Sequence, residues 1–202
     1  MKMRTLGILV LMTALVLAAG CSKRTEVERR DVGDVIDLSG EWNDVDSQQV
    51  AAALVAKITA SPWVEDFRAE EGKKPYVIVG EIRNRTSEHI PVPTFTSELE
   101  KFFINSGRVR VVASADEREQ IRGERADQQD FSSAETMKQW GREKGADFML
   151  LGEINSIFDS ADGESVKYYQ VDCYLVDLED NVKVWMGDHK IKKTVSRGKF
   201  KG

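Results

Sequence analysis

The chain has 202 residues, a formal net charge of −5 and 31% charged residues of interspersed sign. That length suffices for one sizeable core, and the charge describes an ordinary hydrated surface, so a dominant nucleic-acid face is not implied and no nucleic-acid partner is expected. Two cysteines occur, Cys21 and Cys173, so the fold must stand on its core rather than on a disulfide framework.

Lys2 and Arg4 precede an uncharged run from Thr5 to Ala19, which closes on Leu17-Ala18-Ala19-Gly20-Cys21. A basic start, an apolar stretch and a small-residue cleavage site make residues 1–20 a secretory signal. The run is short for a bilayer core of about 30 Å, so a spanning helix is not expected. The cysteine after Gly20 resembles a bacterial lipobox, with Leu17 one position further from Cys21 than in the commonest form. That resemblance implies lipidation of Cys21 and membrane contact through its lipid, which leaves Cys173 without an intrachain partner. Serine rather than aspartate at position 22 implies outer-membrane sorting. Residues 21–37 read as the lipidated cysteine and a short polar tether, 38–195 as a globular domain and 196–202 as a basic tail. Fully extended, Ser22 to Asp37 reaches roughly 55 Å.

Trp42-Asn43 precedes a helix whose capping box is read as Asp46 with Gln49 and whose apolar stripe is Val50, Ala53, Leu54 and Ile58. Ser61-Pro62 marks a break and restart, with Ser61 as cap. Trp63 and Phe67 share one face of a short second helix, and Gly72 to Pro75 ends it. Tyr76 to Ile82 is a strand, and Asn84 to His89 a polar loop. Pro91 and Pro93 imply extended chain. Phe95, Leu99, Phe102 and Phe103 then form a buried helical face that Gly107 stops. Arg108 to Ala113 alternates as a strand, and Ser114 to Glu117 is a capping box opening a polar surface helix. Gly123 to Asp130 reads as a connection. Ser132-Ser133-Ala134-Glu135 caps another helix, with Ala134, Met137 and Trp140 as its stripe and Gly145 as its stop. Ala146–Ile157, Val166–Leu178 and Val182–Lys193 read as strands joined by short polar turns, an antiparallel meander. In the middle strand Tyr169, Val171, Cys173 and Leu175 face one way. The order predicts one α+β domain, with a four- to five-stranded mixed sheet and helices packed on it.

Chemistry-bearing patterns are sparse. There is no G-x-S-x-G elbow, S-x-x-K, P-loop, C-x-x-C or H-E-x-x-H. The two histidines, His89 and His189, are read as facing solvent, and Cys173 as a small core residue. Gly80 and Gly152 indicate close packing. Acidic pairs such as Asp44 with Asp46 and Glu179 with Asp180 sit at cap and turn positions. No enzyme, metal or cofactor is expected.

Five separated motifs together resemble the LpoB family: Trp42-Asn43, Asn84-Arg85-Thr86, Ser106 to Val112, Gly145 to Leu150 and Val184-Trp185-Met186-Gly187. The resemblance implies a fold like the amino-terminal domain of TolB. It also implies an outer-membrane lipoprotein without catalysis of its own, which activates a bifunctional class A penicillin-binding protein by binding it. The alternative is an envelope assembly or secretion accessory of the CsgG or TolB kind. Trp42, Asn43, Asn84, Arg85 and Thr86 are the candidate contact residues, with Trp42 equally placed to pack the first helix.

Overall fold

The computed structural model describes residues 27–31, 34–37, 39–131, 145–161 and 163–196. The signal, Cys21, the start of the tether, the helix read after Ser132 and the tail beyond Ser196 lie outside them. The chain divides into two units, Met1–Asp34 and Val35–Gly202. In the first, the described residues are exposed and irregular, and Arg30 pairs with Glu28 at 3.0 Å.

In the second unit, helix α1 (Asp44–Ala60) starts one turn before the Asp46/Gln49 box that the sequence suggested. Asn43 is the true cap. Its side chain accepts the Asp46 N–H at 3.0 Å, and the Asp46 carboxylate accepts the Asn43 N–H at 2.9 Å. Asp46 therefore closes a capping box, as the third residue of the helix, rather than opening one, and its charge there also meets the positive end of the helix dipole. Ser61 does not cap helix α2 (Trp63–Glu71): its hydroxyl donates to the Lys57 carbonyl at 2.9 Å, and Pro62 occupies the cap position with helical dihedrals. Trp63 and Phe67 both meet the ring of Phe148 edge-on, at 4.9 and 5.2 Å between centroids.

Strand β1 (Tyr76–Asn84) leads into helix α3 (Val92–Ser106). The prolines expected to hold extended chain start this helix instead. Pro91 is its cap and Pro93 lies in its first turn, where a missing N–H costs nothing. Phe95, Leu99 and Phe103 are fully buried, whereas Phe102 is only partly so. Gly72 and Gly107 end α2 and α3 in the left-handed conformation.

The strand read over 108–113 shrinks to β2 (Arg110–Val111), although Val109 and Val112 are buried beside it. Helix α4 (Ala115–Phe131) opens on the expected box, with Glu117 accepting the Ser114 N–H at 2.7 Å. It runs on through the segment read as a connection. Gly123 is tolerated because Arg122, Glu124, Arg125 and Ala126 are strong helix formers in a helix with little to bury.

The last three strands are β3 (Phe148–Ala161), β4 (Glu164–Asp177) and β5 (Lys183–Ser196). The sheet order is β2-β1-β3-β4-β5. β1 runs parallel to β2 and β3, and the meander is antiparallel. The mixed α+β reading with a five-stranded sheet holds. Helices α1 and α3 pack together, α1 on β5 and α3 on β1 and β2. Their stripes meet Val77, Leu150, Ile154, Val171 and Leu175 in one core. Burying each such side chain contributes about 1.5–3 kcal/mol. Gly152 is needed for close approach: a Cβ there would stand 2.5 Å from the Asp172 carbonyl oxygen and 2.7 Å from Cys173 Sγ.

His189 departs from its solvent-facing reading. It stands opposite fully buried Val171 and is half-buried. Burial and the Lys57 ammonium hold its imidazole below the ordinary value, against the opposing pull of Asp188.

Cys173 is buried, and burial with the neighbouring Asp172 carboxylate pushes its thiol up to about 12. In native protein at pH 8, a thiol reagent should modify Cys173 only as the fold opens. Peptide mass mapping should show labelling accelerating by orders of magnitude in denaturant. Rapid labelling of Cys173 in folded protein would contradict this placement.

Candidate functional site

The loop after β1 is built from its own side chains. Asn84 Nδ2 donates to the Glu88 carbonyl at 2.8 Å, and Asn84 Oδ1 accepts the Thr86 N–H at 2.9 Å and its hydroxyl at 2.8 Å. Thr86 Oγ1 in turn accepts the Glu88 N–H at 3.1 Å. The Arg85 N–H donates to the Ile154 carbonyl at 2.8 Å, fixing the loop on β3. These bonds turn the Glu88 side chain towards the sheet.

There Glu88 meets three donors from two other parts of the chain. Tyr169 Oη and Lys167 Nζ, both on β4, each donate to it at 2.7 Å, and the Trp42 N–H donates at 3.3 Å. The side chains of Glu88 and Lys167 are 17% and 16% exposed, so this pair is largely withdrawn from water. Burial pushes the Glu88 carboxyl up, but Lys167, Tyr169 and the Trp42 N–H outweigh it and hold it below the ordinary carboxylate value. The Tyr169 hydroxyl is raised by burial and then by the Glu88 charge.

Trp42 completes the junction. Its ring lies edge-on to Phe95 at 5.9 Å and Tyr169 at 5.6 Å, and its Nε1 donates to Ser47 Oγ at 2.8 Å. A second clamp holds the same segment. Lys193 of β5 donates to Asp37 at 2.7 Å, to the Glu41 carbonyl at 3.0 Å and to the buried carboxylate of Asp46. Burial lowers the Lys193 ammonium, and the two carboxylates more than reverse that.

The structure thus brings three of the five sequence candidates, Trp42, Asn84 and Thr86, to Glu88, and gives four of the five internal work. Trp42, Asn43, Asn84 and Thr86 are bonded or stacked within the fold. Arg85 presents a side chain 55% exposed, in a loose pair with Glu153 at 3.6 Å. Cys21 lies outside the described residues. Beside the clamp opens a cleft of about 530 Å³, bounded by Glu41, Ser87, His89, Ile157, Phe158 and Lys167. Ile157 and Phe158 are 65% and 62% exposed. Sequence reasoning passed over them and over Glu88. The available signal was Lys167, which shares the inward register of Tyr169, Val171, Cys173 and Leu175 and so demands a buried partner.

Because Glu88 is engaged by three donors, one of them an ammonium, the cluster acts as a clamp. Among the described residues no group of His, Cys, Asp and Glu could hold a metal ion, and no helix is long and apolar enough to cross a membrane.

A family model described as peptidoglycan-synthase activator LpoB matches residues 46–191. Among solved structures, the carboxy-terminal domains of LpoB from Salmonella enterica and Escherichia coli align at 15% and 16% identity, each over 72% of this chain and 98% of that domain, with TM-scores of 0.40. Lipoprotein GNA1162 from Neisseria meningitidis aligns at 17% identity over 59% of this chain and 83% of its own, with a TM-score of 0.38. A comparison with curated proteins returns no match.

Glu88→Gln should destabilise the domain by about 1–3 kcal/mol in urea unfolding, since it leaves the withdrawn Lys167 ammonium with only the exposed Glu41 carboxylate at 3.6 Å as counter-charge. The folded carboxyl is depressed, so its contribution is complete above the unfolded value of about 4.3 and is lost as pH falls through the folded value. The variant should lack that acid-side component. Equal stability and an unchanged pH profile would show that the clamp contributes nothing.

Proposed function

We propose, since the chain belongs to the LpoB family of peptidoglycan-synthase activators, that it is a non-catalytic regulator that binds a class A penicillin-binding protein. The family match over residues 46–191 carries this reading. The clamp supports it, because it commits the buried charge cluster near the candidate residues to holding a surface in shape. In this reading the domain prefers the active conformation of the synthase and shifts that population, by as much as its affinities for the two states differ.

The contact face we assign is the outer side of the clamp. Arg85 supplies a charge, and Ile157 and Phe158 supply exposed apolar area of the kind that anchors interfaces. Trp42, Asn43, Asn84 and Thr86 set the shape of that face from beneath. A lipid on Cys21 anchors the domain to the outer membrane, facing the periplasm. The tether from Ser22 to Asp37 then keeps it within about 55 Å of that membrane, so a synthase in the inner membrane must project across the periplasm to meet it.

Detergent-purified full chain, immobilised on resin, should retain a penicillin-binding protein from envelope extracts and raise its rate of glycan polymerisation. Arg85→Glu and Phe158→Ser should each weaken capture by about tenfold or more while leaving the fold intact. Absence of any penicillin-binding protein on the resin, with unchanged polymerisation rates, would refute the reading.

A further inference from the structure

At the opposite end of the sheet from the clamp lies a second groove, of about 610 Å³, between α2 and the edge strand β5. Its inner wall is aromatic, formed by Trp63, Phe67 and Phe148. Its outer wall comes from a bulge. The β4–β5 register steps from Leu175 opposite Trp185 to Val176 opposite Lys183, which leaves Val184 as the extra residue. As a result Val184 and Trp185, adjacent in sequence, both pack towards the core side and line the groove. Gly187 lets the indole lie along the strand, since a Cβ there would stand 2.6 Å from Trp185 Cζ2.

The groove is acidic as well as aromatic. Its charged lining residues are Asp66, Glu70 and Asp177, with no basic residue among them. Asp66 and Glu70 stand one turn apart on α2, like charges that repel at that spacing. No salt bridge engages either among the described residues, although nearby Glu65 holds both Arg68 and Arg108. Trp63 and Trp42 use their indole N–H groups inside the fold, on Ile58 and Ser47. The Trp185 N–H has no partner among the described residues. The site therefore suits an extended segment with an apolar side chain flanked by cations and with a carbonyl to accept a hydrogen bond.

The chain carries such a segment itself: Lys199-Phe200-Lys201, which lies outside the described residues. It cannot reach its own groove. Val184 to Ser196 runs along one strand for roughly 40 Å, while the residues from Ser196 to Phe200 span at most about 14 Å. We propose that the groove between α2 and β5 receives the Lys199-Phe200-Lys201 segment of a second copy, in a head-to-tail contact. Phe200 enters the aromatic slot, and the two lysines meet Asp66, Glu70 and Asp177. The contact is heterologous, because groove and tail are different surfaces, so each copy keeps one free groove and one free tail for further copies. It is independent of the synthase reading, which uses the other end of the sheet.

A fluorescent peptide of residues 195–202 tests this, added to detergent-purified full chain carrying Phe200→Ser so that its own tail does not compete. Saturable binding should appear beyond that of empty micelles. It should weaken at least tenfold when the chain also carries Asp66→Lys and Glu70→Lys, both exposed positions, and with a peptide in which Ser replaces Phe200. In a mixing experiment, the Phe200→Ser chain and the Asp66→Lys/Glu70→Lys chain should each sediment as single copies, yet pair with one another and stop at two. Peptide binding unaffected by the α2 substitutions, no binding beyond empty micelles, or failure of the two variants to pair would overturn the proposal.

Discussion

The Glu88 carboxylate is the constraint on which the rest of this domain depends. It sits in a loop between β1 and α3, yet its partners come from the segment before α1 and from β4. A carboxylate withdrawn from water is costly unless donors replace its hydration. Here Lys167, Tyr169 and the Trp42 N–H do so together. The geometry that satisfies Glu88 therefore also fixes where the chain enters the domain, where the loop lies and how β4 meets both. Trp42 belongs to the same junction, since its indole is edge-on to both Phe95 of α3 and Tyr169 of β4. The Lys193 clamp repeats the logic one strand further out, with Asp46 serving at once in the helix cap and as counter-ion.

This arrangement separates shape from contact. Residues that the sequence motifs would assign to a partner, Asn84 and Thr86 above all, are engaged in building the loop. The side chains facing outwards beside it are Arg85, Ile157 and Phe158, together with Glu41, Ser87 and His89 at the rim of the cleft. A pre-shaped face of this kind loses little freedom on association. The acidic aromatic groove occupies the other end of the sheet, so the two surfaces can be engaged separately.

Much of the fold was legible because local chemistry and burial agreed. Alternation on β4 identified the buried set from Tyr169 to Leu175, the four-residue spacing of Phe95, Leu99 and Phe103 identified the face of α3, and Gly72 and Gly107 marked helix ends. The misreadings occurred where one residue type serves two purposes. Asp46 can open a capping box or close one, and only the position of Asn43 decides. Proline holds extended chain or starts a helix, depending on the residues after it. A polar segment with one glycine reads as a connection unless its neighbours favour helix strongly enough, as they do in α4. The site was legible as a set of motifs but not as a geometry. Glu88 and Lys167 are far apart in the chain, and nothing local to either shows that they meet.

Amide hydrogen exchange on the Glu88→Gln variant tests whether Glu88 holds three separate parts of the chain in one surface. Protection should fall together in Gly40–Asn43, in Thr86–His89 and around Lys167–Tyr169, while the buried stretches of α1 and α3 keep theirs. Loss confined to the Thr86–His89 loop, with the other two segments exchanging as in the unaltered chain, would show that these parts are held independently of Glu88.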